Sequence, residues 1–200
     1  AFRQDRHLLE LKLGLQDIPY QGFPNQRMDM TSNKSEQVNL RYTGQYDWGT
    51  LSARVYNEHT RHKMNFLEDK AYWSRGNAPG MPMDTEGKNT GVVLKADISL
   101  SERDLLRVGG EYQRYRFSDW WDASGTGGMS PNQFKSINDG QRDRFALFGE
   151  WEARWTPQWL SLFGLRSETV KMDTGNVQGY NAGYNVDANA FNAKDRSTTD

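Results

Sequence analysis

Seven methionines and three histidines are the residues most able to do chemistry in this chain of 200 residues. Met28 and Met30 lie two apart, as do Met81 and Met83. His59, His62 and Met64 share the stretch "HTRHKM", and Met129 and Met172 follow later. Thioethers are soft ligands that select ions such as Cu(I), and imidazole also suits copper. Met28, Met30, His59, His62, Met64, Met81, Met83 and Met129 are therefore the candidate ligand-contacting set. Met64, Met81, Met83, His59 and His62 are its candidate metal ligands. The same methionines also suit a plainer role, because methionine is an adaptable filler that packs loops onto one another. Catalytic signatures are absent from the sequence. There is no cysteine, no G-x-S-x-G and no phosphate-binding loop. Glu150 and Glu152 form the best acid pair, but two residues apart they share one face of a strand without a defined cleft. No enzyme activity and no resident cofactor are expected.

The elements that must position these groups are strands. "VNLRYTGQY" (38–46) sets Val38, Leu40, Tyr42 and Tyr46 against Asn39, Arg41, Thr43 and Gln45. "TLSARVYNEH" (50–59), "GVVLKADISL" (91–100), "RFALFGEWEARW" (144–155) and "WLSLFGLRSETV" (159–170) alternate likewise. "HLLELKLGLQD" (7–17) and "LLRVGGEYQRYRF" (105–117) bring the count to about seven. Most run to about 10–13 residues, against about 5–6 for a typical soluble strand and about 9–11 for one crossing an outer membrane. "YDWGT", "SERD" and "WTPQW" are tight turns. They alternate with long connections at 17–36, 62–89, 119–141 and 173–200. Four such connections are unusual in a compact soluble domain, whereas membrane barrels pair short periplasmic turns with long extracellular loops.

Composition agrees. Mean hydropathy is −0.91, yet aromatics reach 12%, too many for simple disorder. A formal net charge of −1 gives no long-range attraction for nucleic acid, so none is expected as a partner. No run of about 18 apolar residues exists to form a membrane helix. Tyr46, Trp48, Trp151, Trp155 and Trp159 gather at the short-turn ends. Tyr112, Tyr115, Phe117, Trp120 and Trp121 gather toward a long-loop end. Two aromatic levels suggest the girdles of a membrane barrel; the plainer reading is that aromatics favour strands. Charged residues such as Arg41, Arg54, Lys95, Asp97, Arg107, Glu111 and Arg166 oppose the aliphatic face; a soluble sheet with one solvated face explains them as well as a barrel lumen does, and if the aliphatic face meets lipid they must point inward.

Five stretches carry a family resemblance: "YQGFPNQRMDMTSN" (20–33), "VNLRYTGQYDWGTLSARVYNEHTRHKMNF" (38–66), "GMPMDTEGKNTGVVLKADI" (80–98), "LLRVGGEYQRYR" (105–116) and "FALFGEWEARWTPQWLSLFGLRSE" (145–168). In order and spacing they resemble the β-barrel of a TonB-dependent outer-membrane receptor and, more loosely, its copper-receptor branch. The resemblance implies a barrel of about 22 strands with a plugged lumen. It also implies a bacterial outer-membrane location, outer-membrane lipid around the wall, and a small-molecule or metal-chelate ligand. The energising partner would be a TonB-type protein acting through the plug.

The fold expected is thus an all-β, antiparallel, up-and-down transmembrane barrel segment. Residues 1–200 would form a partial barrel domain without the plug and the remaining strands. The opening "AFRQDRHLLE", lacking Met and an apolar leader, fits a piece of a longer protein or a mature form cut at both ends. The expected function is import of a metal chelate, siderophore-type or copper, bound at the extracellular mouth. The rival is a soluble antiparallel β domain binding glycans or proteins through aromatic surface. A closed eight-strand lipocalin-like barrel is a weaker third. Detergent dependence separates them: the chain is expected to aggregate in plain buffer. A monodisperse species there, with its aliphatic faces protected, would exclude the membrane reading.

Overall fold

Alternation in the sequence becomes a single antiparallel meander. The structure, a computed structural model, describes residues 1–26, 28–66, 82–123, 133–180 and 182–200. Nine strands pair in chain order: β1 (Phe2–Gln4), β2 (His7–Ile18), β3 (Asp29–Tyr46), β4 (Gly49–Asn65), β5 (Met83–Ser99), β6 (Asp104–Trp121), β7 (Phe134–Thr156), β8 (Trp159–Asp173) and β9 (Thr198–Thr199). A helix, α1 (Ala182–Asn192), precedes β9. Tight turns at 5–6, 47–48, 100–103 and 157–158 alternate with the longer connections. At the second turn Gly49 adopts φ +141°, and a Cβ there would lie 1.9 Å from the Asp97 carbonyl oxygen. Only glycine closes that turn without displacing β5.

Register fixes the two faces. Leu11, Leu40, Val55, Val92, Tyr112 and Phe145 form one cross-strand row. Leu9, Tyr42, Ala53, Leu94, Gly110 and Leu147 form the next on the same face. Nothing in the described chain covers these rows; Leu13 is 67% exposed and Leu94 51%. A soluble sandwich would bury such a face against a second sheet. Here lipid is the environment that removes it from water.

The opposite face is polar and ion-paired. Arg107 on β6 reaches Glu150 at 2.6 Å and Glu152 at 2.7 Å on β7. Glu111 accepts from Arg144 at 3.2 Å and Arg166 at 3.1 Å, linking β6, β7 and β8. Among the described residues, four hydrophobic side chains are buried: Met30, Ala146, Ala153 and Ala188. This is a wall, not a core. Its edges are open: β1 pairs only with β2, and β9 meets β8 only at Lys171 and Met172.

Strands extend beyond the alternating segments, always toward the long connections. β3 begins at Asp29 instead of Val38, β4 continues to Asn65, and β7 begins at Phe134 instead of Arg144. In these extensions the outer face becomes polar too, so hydrophobic alternation vanishes while the backbone ladder continues. Cross-strand pairs replace aliphatic contacts on the outer surface: Lys34–Asp17 at 3.3 Å, Lys63–Asp84 at 2.7 Å and Arg116–Asp143 at 2.5 Å. The wall therefore rises above its apolar band.

The aromatic levels are only half as expected. At the short-turn end Tyr46 stacks on Trp48 at 5.2 Å, and Trp151 meets Trp155 edge-on at 6.5 Å. At the other end, Tyr115, Phe117 and Trp121 belong to the polar face, since they alternate with outward Tyr112 and Trp120. They line the interior instead of forming a girdle. The 173–200 connection also differs, because it contains α1. Asn192 holds that helix by bonding both the N–H and the carbonyl of Val177 at 2.8 Å.

The face assignment makes a direct prediction for the complete barrel. Leu94→Arg, in the apolar band, should cost about 2–4 kcal/mol. Val93→Arg, one residue away but opposite Glu111, should cost less than about 1 kcal/mol. Equilibrium unfolding from lipid bilayers measures both, and equal costs would reverse or abolish the assignment.

Candidate functional site

A β-bulge brings the methionines together. β3 and β4 pair Ser32 with Lys63 and Met30 with Met64, so Thr31 is the extra residue between them. The extra residue reverses the phase of β3. Met30 thereby joins the polar face, opposite Met64, and is 4% exposed. Met64 in turn pairs with Met83, Met83 with Trp121, and Trp121 with Phe134. One row across five strands therefore reads Met30, Met64, Met83, Trp121, Phe134. Cβ atoms of directly opposed residues lie about 4.5–5.5 Å apart, so Met64 stands within side-chain reach of Met30 on one side and Met83 on the other.

Both ends of this row are tied down. At one end, buried Asp29 accepts from the Phe23 backbone N–H at 2.7 Å and from the Tyr20 hydroxyl at 3.3 Å. Gln21 and Met30 exchange backbone hydrogen bonds at 3.0 Å in both directions. At the other end Tyr180 stacks on Phe134 at 4.2 Å and meets Trp121 edge-on at 5.9 Å. Burial pushes the Tyr180 phenol well above its ordinary range, and the charge of Asp119 adds to this. Asp119 organises the next row: it accepts from Thr85 at 3.2 Å, from the Trp121 indole at 3.1 Å, and from Ser136.

His62 lies in that next row, two residues from Met64 and on the same face. Among the described residues its ring has no hydrogen-bond or ion-pair partner. It borders a cavity of about 260 Å³ lined also by Glu58, Thr60, Thr85, Tyr115 and Phe117. The His62 ring and the Met64 thioether thus lie on one face of β4, in adjacent rows near the mouth.

His59 does not join them. Three residues from His62 on a strand, it points through the opposite face. There it pairs with Glu86 at 2.7 Å, beside Arg61 and Lys88. The stretch "HTRHKM" therefore divides: His62 and Met64 inward, His59 outward. Met28 is half-buried in the connection before β3 and outside the row. Met81 and Met129 lie outside the described residues. Met30, Met64 and Met83 belong to strand ends, not to loops. Among the described residues no three His, Asp or Glu side chains are grouped to hold a metal ion, so the soft row is distinct from a hard-ligand site.

Asp119, Phe134 and Tyr180 were not expected at this site. Asp119 carries no recognisable motif. Tyr180 arrives from a connection distant in sequence, joined to β7 by the Lys135–Gln178 bridge.

With this geometry in view, comparisons with known proteins are informative. The family model "TonB dependent receptor-like, beta-barrel" matches residues 3–199. No curated protein matches by sequence. A solved structure of the copper transporter OprC is similar at a TM-score of 0.75 and 15% identity. The similarity covers 98% of this chain and 31% of that one.

Removing the Asp119 carboxylate tests the organisation of the mouth. Asp119→Ala leaves the Thr85 and Trp121 donors unpaired, each costing about 1–3 kcal/mol when buried, while the Ser136 hydroxyl keeps the Asp119 backbone carbonyl at 3.1 Å. Faster amide exchange is expected at residues 134–136 and 178–180, with the lower wall unchanged. Exchange equal to that of the parent protein would deny Asp119 this role.

Proposed function

Because this chain belongs to the family of TonB-dependent receptor-like β-barrels, we propose that it forms part of the barrel wall of a receptor importing a metal cargo across the bacterial outer membrane. The cargo is a soft metal, taken up as copper or as a chelate, and captured at the extracellular mouth. The remaining strands and a plug come from the rest of a longer protein. The open sheet edges support this, as does the chain's coverage of 31% of a structural relative. A TonB-type protein acting on the plug supplies the energy. The family is one of receptors and transporters, and no catalytic step is involved.

One observation carries the choice of cargo: Met30, Met64 and Met83 are paired across three strands, with His62 on the same face. Softness favours Cu(I) over hard cations for such donors. The structural relative is named a copper transporter, which adds weight to copper among soft cargoes. The methionines' flexible side chains also suit a site that must release what it binds. Polar side chains lining the cavity below offer a wet path inward.

Anaerobic titration of Cu(I) into the complete receptor tests the reading. Met64→Leu combined with Met83→Leu should weaken binding beyond the about 10–100-fold typical of changes to groups that only support the ligands. His62→Ala should weaken it as well. His59→Ala should leave it unchanged, because that ring is on the other side of the sheet. Unchanged affinity in the methionine variants, with lowered stability, would assign the row to packing of the mouth.

A further inference from the structure

The upper end of β7 carries a cleft that neither the lipid face nor the methionine row uses. β8 pairs with β7 only from Gln141 onward. Above that point the vacated edge of β7 is taken by the segment that follows β8. The Asn138 carbonyl accepts from the Gly175 N–H at 2.7 Å, and its side-chain amide donates to the Asn176 carbonyl at 2.9 Å. Lys135 and Gln178 exchange backbone hydrogen bonds at 2.9 and 3.1 Å. The chain then turns back as α1, which Asn192 ties to Val177 and Asn185 ties to Gly179. Between β7 and α1 a cavity of about 320 Å³ remains. Tyr184, Asp187, Ala188 and Phe191 line it, spaced i, i+3, i+4 and i+7, so one face of α1 turns toward it. An apolar helix face is ordinarily covered. Here Ala188 is buried, but Tyr184 is 61% exposed and Phe191 41%. Two opposite charges line the same cavity, Lys135 from β7 and Asp187 from α1. They do not bridge one another, and among the described residues neither side chain has an ion-pair or hydrogen-bond partner.

We propose that this cleft binds a free aromatic α-amino acid. The Lys135 ammonium takes its carboxylate, the Asp187 carboxylate takes its ammonium, and its ring lies against Tyr184, Ala188 and Phe191. Charge complementarity favours a zwitterion over other ligands. A simple anion would match Lys135 but be repelled by Asp187, and a simple cation would meet the reverse. One zwitterion gives both side chains a charge-assisted hydrogen bond. Size favours a single amino acid: the cavity of about 320 Å³ stands at the lower end of the about 300–1,000 Å³ found for ligand sites. The exposed rings of Tyr184 and Phe191 favour an aromatic side chain, because aromatic pairs add to the energy of area burial. The hydrogen bonds that seat α1 hold the cleft open before a ligand arrives, which lowers the ordering cost of binding. The inference does not depend on which cargo the barrel imports.

The test titrates L-phenylalanine into the complete receptor in detergent, free of copper, by calorimetry. Saturable binding is expected. Phenethylamine, which lacks the carboxylate, and 3-phenylpropionate, which lacks the ammonium, should each bind about tenfold or more weakly. Lys135→Gln should lower phenylalanine affinity about tenfold and erase its advantage over phenethylamine. Asp187→Asn should lower it by a similar factor and erase its advantage over 3-phenylpropionate. Those matched losses are ones that a merely structural role would not produce. Lys194→Gln, beyond the end of α1, should leave the affinity unchanged. Amide exchange across residues 182–192 checks that each variant keeps the helix seated. Three results would overturn the proposal: no saturable binding of phenylalanine, either analogue binding as tightly as phenylalanine, or unchanged affinity in either charge variant.

Discussion

Backbone N–H and C=O groups have no partner in hydrocarbon, so a strand crossing lipid must find them on its neighbours. That requirement holds β2 to β8 in one continuous ladder, and the rest of the structure follows from it. A ladder fixes register, and register with a two-residue period assigns every side chain to one of two solvents. Leu94 faces lipid and Val93 the interior because they are adjacent, not because they differ in character. The same rule sends His59 and His62 to opposite sides and separates Tyr115 and Phe117 from Tyr112.

Where the phase is broken, a site forms. Thr31 is one residue too many between Met30 and Ser32. Without it Met30 would face outward, away from Met64. With it, three thioethers share a row and His62 lies just beneath. Asp29 then fixes one end through groups of the preceding connection, and Asp119, in the next row, ties Thr85, Trp121 and Ser136 together across three strands. The site is thus a property of strand ends, where lipid no longer imposes strict pairing and bulges are tolerated.

Electrostatics divides along the same lines. On the interior face Arg107, Glu150, Glu152, Glu111, Arg144 and Arg166 form linked pairs that satisfy one another across three strands. Partly exposed pairs of this kind contribute modestly to stability. Their larger effect is to keep charges off the lipid face and hold a polar wall. On the outer face above the apolar band, the Lys34–Asp17, Lys63–Asp84 and Arg116–Asp143 pairs join neighbouring strands in the same way.

Alternation alone determined that β2 to β8 exist, which face the residues of the alternating segments take, and that short turns alternate with long connections. Membrane solvation writes a period of two directly into the sequence, so those features are legible in stretches such as "VNLRYTGQY" and "GVVLKADISL". The methionine candidates were legible as residue types. Tertiary structure decided which of them meet. It extended the strands into doubly polar stretches, where no hydrophobic pattern marks a ladder. It folded α1 from an Asn- and Gly-rich segment whose anchors, Asn185 and Asn192, bond backbone groups at Gly179 and Val177. It split "HTRHKM" between two faces and returned Met30 to the interior through a bulge. Those outcomes depend on pairing partners far away in the chain, and a local pattern of residues carries no record of its neighbours across the sheet.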